Sequence, residues 1–192
     1  MLKVAITGKA NSGKNTVSGL ICYAACSDKQ NFVHLSFADP IKEIAQTLFP
    51  QLPSQYLYGP SEYRSNVIPN AFKNGEPLTV RQLLIDIGTS AREYNPKIWI
   101  DILHHRFDIA KNENPHLIII SDVRFKNEFE FLKKLGFYQI RLHRNEHAKI
   151  DHVSETDQDA IQDSQFDCIL HNNSTLDSLR KSVEGVVSIL PQ

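Results

Sequence analysis

The glycines and the lysine of residues 6–20, ITGKANSGKNTVSGL, have the spacing of a phosphate-binding loop. Such a loop has a glycine, four further residues, a second glycine, a lysine and then serine or threonine. Gly8, Gly13 and Lys14 satisfy this pattern. The glycines let successive backbone amides face an anion, and the lysine adds a mobile positive charge that can reach the β- and γ-phosphates of a nucleotide. Residues 8–16 are therefore the predicted nucleotide-binding segment.

Asn15 is an exception to this pattern, because it occupies the position where a hydroxyl residue usually contacts Mg²⁺. An asparagine still offers an amide oxygen, which is a suitable ligand for a hard cation, directly or through a water. Thr16 supplies a hydroxyl one residue later and is predicted to bind the α-phosphate. A chance glycine turn is the alternative, but a predicted strand before the loop and a predicted helix after it favour a working site.

A second charged group follows HLIIIS, residues 116–121, which is the clearest strand pattern in the chain. Asp122 is predicted to come directly after this strand, where an acid can hold Mg²⁺ or a substrate. Arg124 and Glu128 follow, and they lie on one helix face if residue 124 opens the next helix. A helix cap with a surface ion pair is the alternative interpretation.

Further cationic residues lie in the middle of the chain and near residue 140. Arg64, Arg81 and Arg92 could bind phosphate oxygens in a forked geometry, although exposed, solvated arginines are the alternative for each. Trp99 could stack on a base, although a single tryptophan in a helix is more often a core residue. Arg141 and Arg144 lie in the polar segment RLHRNEHAKIDHVSE between two predicted strands, which is typical of a mobile lid that carries a positive charge.

Apolar periodicity predicts five strands that alternate with helices. Asp39 is predicted to cap the second helix with Pro40 as its first residue, Thr79 and Ser174 are predicted caps of later helices, and Gly136 is predicted to end a helix. The segment 50–77 is predicted to be irregular because it is rich in proline and glycine. The predicted strands are 2–7, 31–37, 116–121, 137–143 and 166–172, and the predicted helices are 13–26, 39–49, 78–94, 96–112, 124–136 and 174–190.

This alternation predicts a mostly parallel five-stranded sheet with helices on both faces, a three-layer α/β sandwich. Ligands of such sheets bind at the carboxyl ends of the strands, which is where the glycine loop follows the first strand. The 192 residues suit one domain with an insert.

The bulk composition excludes several classes of protein. A formal net charge of −1 disfavours nucleic acid as a main partner. The three cysteines have no framework spacing and are expected to be reduced. A leader-like start and an apolar run of about 20 residues are both missing from the sequence, so we expect a cytoplasmic protein without a membrane partner.

Taken together, six segments of the chain resemble, in order, those of phage-type deoxynucleoside monophosphate kinases. They are GKANSGKNT, SFADPIKE, VRQLLIDIGTSAREYNPKIWID, ISDVRFKNE, HVSE and FDCILHNN. The resemblance covers most of the chain, and its combination of segments is more specific than the loop alone. In this family a Lys-Asp-Thr or similar run commonly replaces Lys-Ser-Thr. Asn15 therefore resembles an uncharged variant of the aspartate that the family commonly has at this position.

The resemblance implies a P-loop kinase fold and transfer of the γ-phosphate of ATP to a deoxynucleoside monophosphate, with Mg²⁺ as cofactor. Lys14, Asp122, Arg124 and Arg144 are the implied catalytic residues. Asn15 and Asp122 are the candidate magnesium contacts. The implied nucleotide-binding residues are Gly8, Lys9, Ala10, Asn11, Ser12, Gly13, Lys14, Asn15 and Thr16. The implied acceptor-binding residues are Phe37, Lys42, Arg64, Arg81, Arg92, Trp99, Asp122, Arg124 and Glu128.

The resemblance also implies how the chain is organised. A single P-loop kinase domain would span 1–192, with a monophosphate-binding insert at about 50–112 and a lid at about 143–156. A phage gene product acting on small nucleotides in a bacterial cytoplasm is implied, as a monomer or a homodimer. Another kinase of this fold, acting on dephospho-coenzyme A or phosphomevalonate, and a non-catalytic nucleotide-binding module are the alternatives. Base selectivity, the preference for deoxyribose over ribose, and the choice between Arg141 and Arg144 as lid arginine stay open.

Overall fold

The computed structural model describes residues 1–26, 31–145 and 157–191. The chain divides into two compact units, one formed by residues 1–36 with 103–192 and the other by Phe37–Ile102. The strands are β1 (Leu2–Thr7), β2 (Phe32–Leu35), β3 (Val67–Lys73), β4 (Glu76–Thr79), β5 (Leu117–Val123), β6 (Tyr138–His143) and β7 (Cys168–His171). The helices are α1 (Lys14–Ala25), α2 (Asp39–Leu48), α3 (Ser54–Tyr58), α4 (Val80–Tyr94), α5 (Ile98–Asn112), α6 (Lys126–Lys134) and α7 (Leu176–Ser188).

The first unit is built on a five-stranded sheet with the strand order β2-β5-β1-β6-β7. Each neighbouring pair is parallel, so the carboxyl ends of all five strands lie at one edge. This arrangement confirms the predicted α/β class. Parallel pairing requires long crossover connections, and the helices between the strands supply them.

Both faces of this sheet are buried. Val4 and Ile6 of β1 pack with α1 and α7 in one apolar cluster, whereas Ala5 between them points to the opposite face and is also fully buried. The same alternation in β5 leaves Ile119 in that cluster and Ile120 outside it, with neither exposed. Strands covered on both faces read as continuous apolar runs, which explains why β1 and β5 were recognisable in the sequence.

The second unit has its own core and contains a hairpin that the sequence analysis missed. The prediction of an irregular segment at 50–77 was wrong, because it contains α3, the whole of β3 and the start of β4, which pairs antiparallel with β3. The turn of the hairpin is Asn74-Gly75, where both residues have positive φ, 52° and 86°. Such a pair matches the twist of the flanking strands, and the prolines obscured it. The core of this unit contains Ala45, Leu52, Leu57, Ile68, Ala71, Leu78, Val80 and Leu83.

Several helix ends also differ from the predictions. Ala38 rather than Asp39 is the N-cap of α2, and the Asp39 carboxylate instead pairs with Lys42 Nζ at 2.8 Å. Thr175 rather than Ser174 caps α7, with its hydroxyl accepting from the Ser178 backbone N–H. These differences are shifts of one residue along the chain.

Two other predicted ends are confirmed. The Thr79 side chain caps α4 by accepting from the Gln82 N–H, and Gly136 follows α6 with a φ of 74°. α5 begins at Ile98, two residues after Pro96. Within the described ranges, the helices are too short or too polar to cross a membrane.

Candidate functional site

The glycine loop connects β1 directly to α1 at the carboxyl edge of the sheet. Gly13 precedes the first residue of α1 and has a φ of 99°, a conformation that costs a glycine little. Asn11 also has a positive φ, 59°. The Ser12 N–H donates to the Lys9 carbonyl at 3.2 Å, which closes a tight turn before the helix. The loop therefore ends at a helix N-terminus, a position that favours a bound anion.

Gly8 lies where the loop passes closest to β6. A β-carbon built on Gly8 would be 2.7 Å from the Leu142 carbonyl oxygen and 2.8 Å from Ser12 Oγ. Only a residue without a side chain fits this gap. Ser12 Oγ and Thr7 Oγ1 are buried, and within the described residues each has no hydrogen-bond partner. Buried hydroxyls are normally satisfied, so these two atoms mark a cradle that suits a polar ligand such as a phosphate.

Lys14 turns its side chain back over the loop. Its Nζ donates to the Gly8 carbonyl at 2.6 Å and to the Lys9 carbonyl at 2.7 Å, and only 8% of the residue is exposed. The two carbonyl oxygens orient the ammonium over the loop. Lys14 therefore places a largely buried cation where a bound anion would be stabilised.

Asn15 and Thr16 lie in the first turn of α1 and are exposed. Their oxygens and the Asp122 carboxylate belong to the same unit and are of the chemical type that Mg²⁺ prefers. The described part of the chain contains no cluster of three or more His, Cys, Asp or Glu residues arranged to hold a metal. Mg²⁺ commonly takes only one or two protein ligands and completes its shell with phosphate oxygens and waters, so these few donors fit that ion.

Asp122 lies near the carboxyl end of β5, not after the strand as predicted. The strand continues to Val123 because Val123 pairs with Thr7 of β1 across a register shift. One Asp122 oxygen, Oδ2, accepts a hydrogen bond from Ser36 Oγ at 2.7 Å. The carboxylate thus occupies the same sheet edge as the glycine loop, and β5 ends two residues later than predicted, at Val123 rather than Ser121.

The predicted geometry of Arg124 and Glu128 was wrong in one respect, because α6 begins at Lys126 and Arg124 precedes it. Glu128 is 2% exposed, and its Oε2 accepts the backbone N–H groups of Arg124 at 2.9 Å and Phe125 at 3.1 Å. Glu128 therefore stabilises the start of α6 and fixes the backbone of Arg124 beside Asp122. Glu128 is thus a buried capping side chain, whereas the alternative interpretation was a helix cap with a surface ion pair. The predicted role in substrate binding stays a prediction.

The two candidate lid arginines have different environments. Arg141 is 8% exposed, donates to the carbonyls of Ile161 and Gln158, and pairs with Asp163 at 3.1 Å. Arg144 is exposed and donates from Nη1 to the Asn11 carbonyl of the glycine loop at 3.3 Å. Arg141 is thus largely buried and held by these three partners, whereas Arg144 is exposed and contacts the glycine loop. Of the predicted lid, 143–156, residues 146–156 lie outside the described residues.

A small cavity of about 60 Å³ opens beside the loop. Its lining includes Gly8, Ser12, Arg144 and Asp159. Asp159 pairs with Lys9 Nζ at 2.9 Å, so residues that follow the undescribed segment also contact the loop.

The second unit contains six of the predicted acceptor-binding residues. Lys42 is held by Asp39, and its Nζ lies 4.9 Å from the centre of the Tyr58 ring, a cation–π contact. Arg81 donates to the Ser61 carbonyl at 3.1 Å, which ties α4 to the short 3₁₀ helix that contains Arg64.

Arg92 and Trp99 both donate to one acceptor in this unit, the Gly88 carbonyl, at 3.1 Å and 3.0 Å. Trp99 is 2% exposed and Phe37 is 4% exposed. These values fit the core interpretation of the tryptophan better than the stacking interpretation. Because the two aromatic rings are buried, their contribution to acceptor binding stays a prediction.

Comparison with known proteins decides the family. The family model for deoxynucleotide monophosphate kinases matches residues 55–183. A provisionally named deoxynucleotide monophosphate kinase of Acanthamoeba polyphaga mimivirus is 31% identical over 198 aligned positions, which cover 97% of this chain and 96% of the viral protein. This chain belongs to the deoxynucleotide monophosphate kinase family. Its function as a nucleotide kinase follows, and the main prediction from the sequence is confirmed over its alternatives.

Two solved structures share the fold of this deoxynucleotide monophosphate kinase. The TT1252 protein of Thermus thermophilus aligns with a TM-score of 0.52 and 13% identity over 100% of this chain and 98% of its own. A sugar kinase of Janibacter sp. HTCC2649 aligns with the same TM-score and identity over 98% of this chain and 95% of its own. At this identity the likeness supports the fold alone, and it agrees with the parallel sheet described above.

Sequence reasoning missed one residue of this kinase at the loop. Asn172 follows β7, and its Nδ2 donates to the Ser12 carbonyl at 2.9 Å. The contact joins residues 160 positions apart, so no local pattern could have revealed it. The segment FDCILHNN had been singled out for its resemblance, but not for any individual side chain.

Proposed function

We propose that this kinase uses ATP as donor and transfers the γ-phosphate to a deoxynucleoside monophosphate, giving the diphosphate and ADP. The observation that supports the proposal most strongly is the glycine loop, with its buried lysine, at the end of β1 in a chain of this family. We place the triphosphate on the amides of residues 8–16 and on Lys14.

The reaction needs no covalent intermediate. An oxygen of the acceptor monophosphate attacks the γ-phosphorus, the bond from that phosphorus to the bridging oxygen breaks, and ADP leaves with the electron pair. Because the acceptor is already an anion, the protein has two tasks, which are to align the two phosphates and to neutralise their charge.

We assign the second task to cations at the sheet edge. Lys14 would move its ammonium from the two loop carbonyls to the β- and γ-phosphate oxygens. Arg144, bound to the Asn11 carbonyl, would lie over the same phosphates, and Arg124, next to Asp122, would bind the acceptor. Forked arginine contacts suit phosphate oxygens in this role.

Bound Mg²⁺ would supply neutralisation of the negative charge on the triphosphate. Asn15 and Asp122 are the residues that we propose to hold it, through their side-chain oxygens. The Asp122 carboxylate is oriented by the Ser36 hydroxyl, and its side-chain oxygens would supply the contact to the ion. Thr16 would contact the α-phosphate.

We propose that the second unit, Phe37–Ile102, recognises the acceptor. Lys42 beside Tyr58 combines a cation with an aromatic ring, and Arg81 and Arg92 lie on α4. The expected monophosphate-binding insert, at about 50–112, overlaps this unit at residues 50–102. We further propose that the enzyme acts in a cytoplasm on free nucleotides, and in that of a bacterial host if a phage encodes it.

A substrate panel tests the proposed function. ATP consumption with Mg²⁺ is measured against the common deoxynucleoside and ribonucleoside monophosphates, dephospho-coenzyme A and phosphomevalonate. Turnover with one or more deoxynucleoside monophosphates is the expected result. Turnover with dephospho-coenzyme A or phosphomevalonate alone would overturn the acceptor, and ATP binding without any turnover would overturn the transfer.

A further inference from the structure

Asn172 connects the edge of the sheet to the phosphate-binding loop. Its backbone N–H donates to the His143 carbonyl at 2.8 Å, which extends the pairing of β7 with β6 by one residue. Its side-chain Nδ2 donates to the Ser12 carbonyl at 2.9 Å. The backbone contact fixes the residue on a rigid element, and the side-chain contact extends that rigidity to the loop.

This second contact determines which way one loop amide points. In a planar trans peptide the C=O and the following N–H point in opposite directions, and the described chain has no cis peptide bond. When Asn172 holds the Ser12 carbonyl, the Gly13 N–H must point away from Asn172. We take that side of the loop, opposite Asn172, as the side on which a nucleotide phosphate would lie.

Gly13 leaves room for this arrangement. Its φ is 99°, and a β-carbon built on it would clash with Asn172 Nδ2. The glycine is thus required twice, for its backbone conformation and for the close approach of the amide. The sequence pattern accounts for the first requirement only.

We propose that Asn172 is a positioning residue that holds the Gly13 amide in the orientation that binds nucleotide phosphate. The inference rests on the proposed binding of ATP at the loop. It does not depend on which acceptor receives the phosphate. An oriented amide lowers the reorganisation needed when the anion binds, so Asn172 acts on nucleotide affinity without touching the nucleotide itself.

Two variants and one matched control test this role. Asn172→Asp keeps the shape of the side chain but replaces the donor by a carboxylate that faces the Ser12 carbonyl. Asn172→Ala removes the contact. The control is Asn173→Ala, because the neighbouring Asn173 also contacts backbone through its side-chain amide, but its Oδ1 accepts from the Asn145 N–H at 2.7 Å, outside the glycine loop.

Affinity for ADP is measured by titration calorimetry in the presence of Mg²⁺, and folding is checked by thermal unfolding without nucleotide. We expect Asn172→Asp and Asn172→Ala to weaken ADP binding about tenfold and to raise KM for ATP more than they lower kcat, as loss of one oriented hydrogen bond implies. Asn173→Ala should bind ADP within about twofold of wild type.

The amide signal of Gly13 in a ¹⁵N correlation spectrum gives a readout that general destabilisation would not move. It should shift in both Asn172 variants without nucleotide and stay in place in Asn173→Ala. Asn172→Ser serves as a further variant if Asn172→Asp fails to fold.

The outcomes separate the two proposals. Equal ADP affinity in wild type and both Asn172 variants would overturn the positioning role, as would an equal loss in Asn173→Ala. If wild type bound ADP and the variants lost it, but no deoxynucleoside monophosphate were phosphorylated, the inference would stand and the proposed reaction would fall. A wild-type chain that bound no ADP would overturn both.

Discussion

Gly8 should tolerate no side chain, and Gly8→Ala measures how closely the loop packs on β6. The new β-carbon would lie 2.7 Å from the Leu142 carbonyl oxygen and 2.8 Å from Ser12 Oγ. Both distances are shorter than ordinary van der Waals contacts of carbon. The first involves the backbone of the buried strand β6, and shifting that backbone would disturb its pairing with the neighbouring strands. Overpacking of this kind costs about 1–3 kcal/mol of unfolding free energy. In a chain of this size that corresponds to a fall in Tm of roughly 2–12 °C.

Gly19→Ala provides the matched control within the adjoining helix. Gly19 lies in the exposed part of α1, and a β-carbon there would meet nothing within 4 Å. Replacing a helical glycine by alanine stabilises by about 0.5–1 kcal/mol, so this variant should melt roughly 1–4 °C above wild type. Glycine-to-alanine substitution is therefore expected to lower the Tm at Gly8 and to raise it at Gly19, eleven positions away.

Thermal unfolding followed by circular dichroism gives both Tm values, and ADP titration shows whether the loop still binds. Gly8→Ala should also weaken ADP binding, because either Ser12 or the β6 backbone must shift to admit the methyl group. A Gly8→Ala protein with the Tm and the ADP affinity of wild type would refute the close packing described here. So would equal shifts for the two variants.

Three further predictions follow from contacts of the first unit. Glu128→Ala should lower the unfolding free energy by about 1–3 kcal/mol, because two backbone N–H groups lose a buried acceptor, whereas Glu128→Gln keeps one acceptor oxygen and should lose less in urea denaturation. Arg144→Ala should raise KM for ATP by roughly three- to tenfold in a steady-state assay. Arg180→Ala, on the exposed face of α7, is the control and should leave KM unchanged. Equal effects of the two substitutions would contradict the assignment of Arg144. Burial raises the pKa of the Cys22 thiol to about 11, so as pH rises the unfolded chain loses this proton before the folded chain does. The free energy of unfolding should therefore fall between pH 9 and pH 11 in wild type, and fall less in Cys22→Ala. Identical pH profiles of the two proteins would count against this.

The parts of the fold that could be predicted are those with a strong local signal. β1, the glycine loop and α1 were recognisable because a buried apolar strand, a required glycine pattern and a helical apolar period follow one another. β5 was recognisable for the same reason, but its end was not. Whether Asp122 belongs to the strand is decided by pairing with β1, a contact between residues more than 110 positions apart.

The hairpin of β3 and β4 was missed although its signal was present. Asn74-Gly75 is a favoured two-residue turn, but prolines on either side made the segment look irregular. Ala38 as the cap of α2 could not have been predicted, because an alanine has no side-chain acceptor and the neighbouring Asp39 is the stronger signal. The pairing of Asp39 with Lys42 shows what the carboxylate does instead.

At the site, the sequence named the loop residues but not the contacts that hold them. Spacing could not show that Arg141 is buried and Arg144 exposed, because the carbonyls of Gln158 and Ile161 and the Asp163 carboxylate that hold Arg141 are distant in sequence. The choice of lid arginine stays a prediction. Asn172 had no local signal at all. Long-range contacts to the loop backbone are thus the part of this site that only a structure reveals.

Transfer of labelled phosphate from [γ-³²P]ATP to a deoxynucleoside monophosphate, by wild type and by Lys14→Ala, tests the central claim most directly. Lys14 is the buried cation of the loop, and loss of a comparable preorganised group costs about 3 kcal/mol of transition-state stabilisation, or roughly 150-fold in rate. Lys181→Ala, an exposed lysine of α7, is the control. The account predicts labelled diphosphate from wild type and the control, and almost none from a folded Lys14→Ala. Normal turnover by Lys14→Ala, or no labelled diphosphate from wild type with any deoxynucleoside monophosphate, would contradict it.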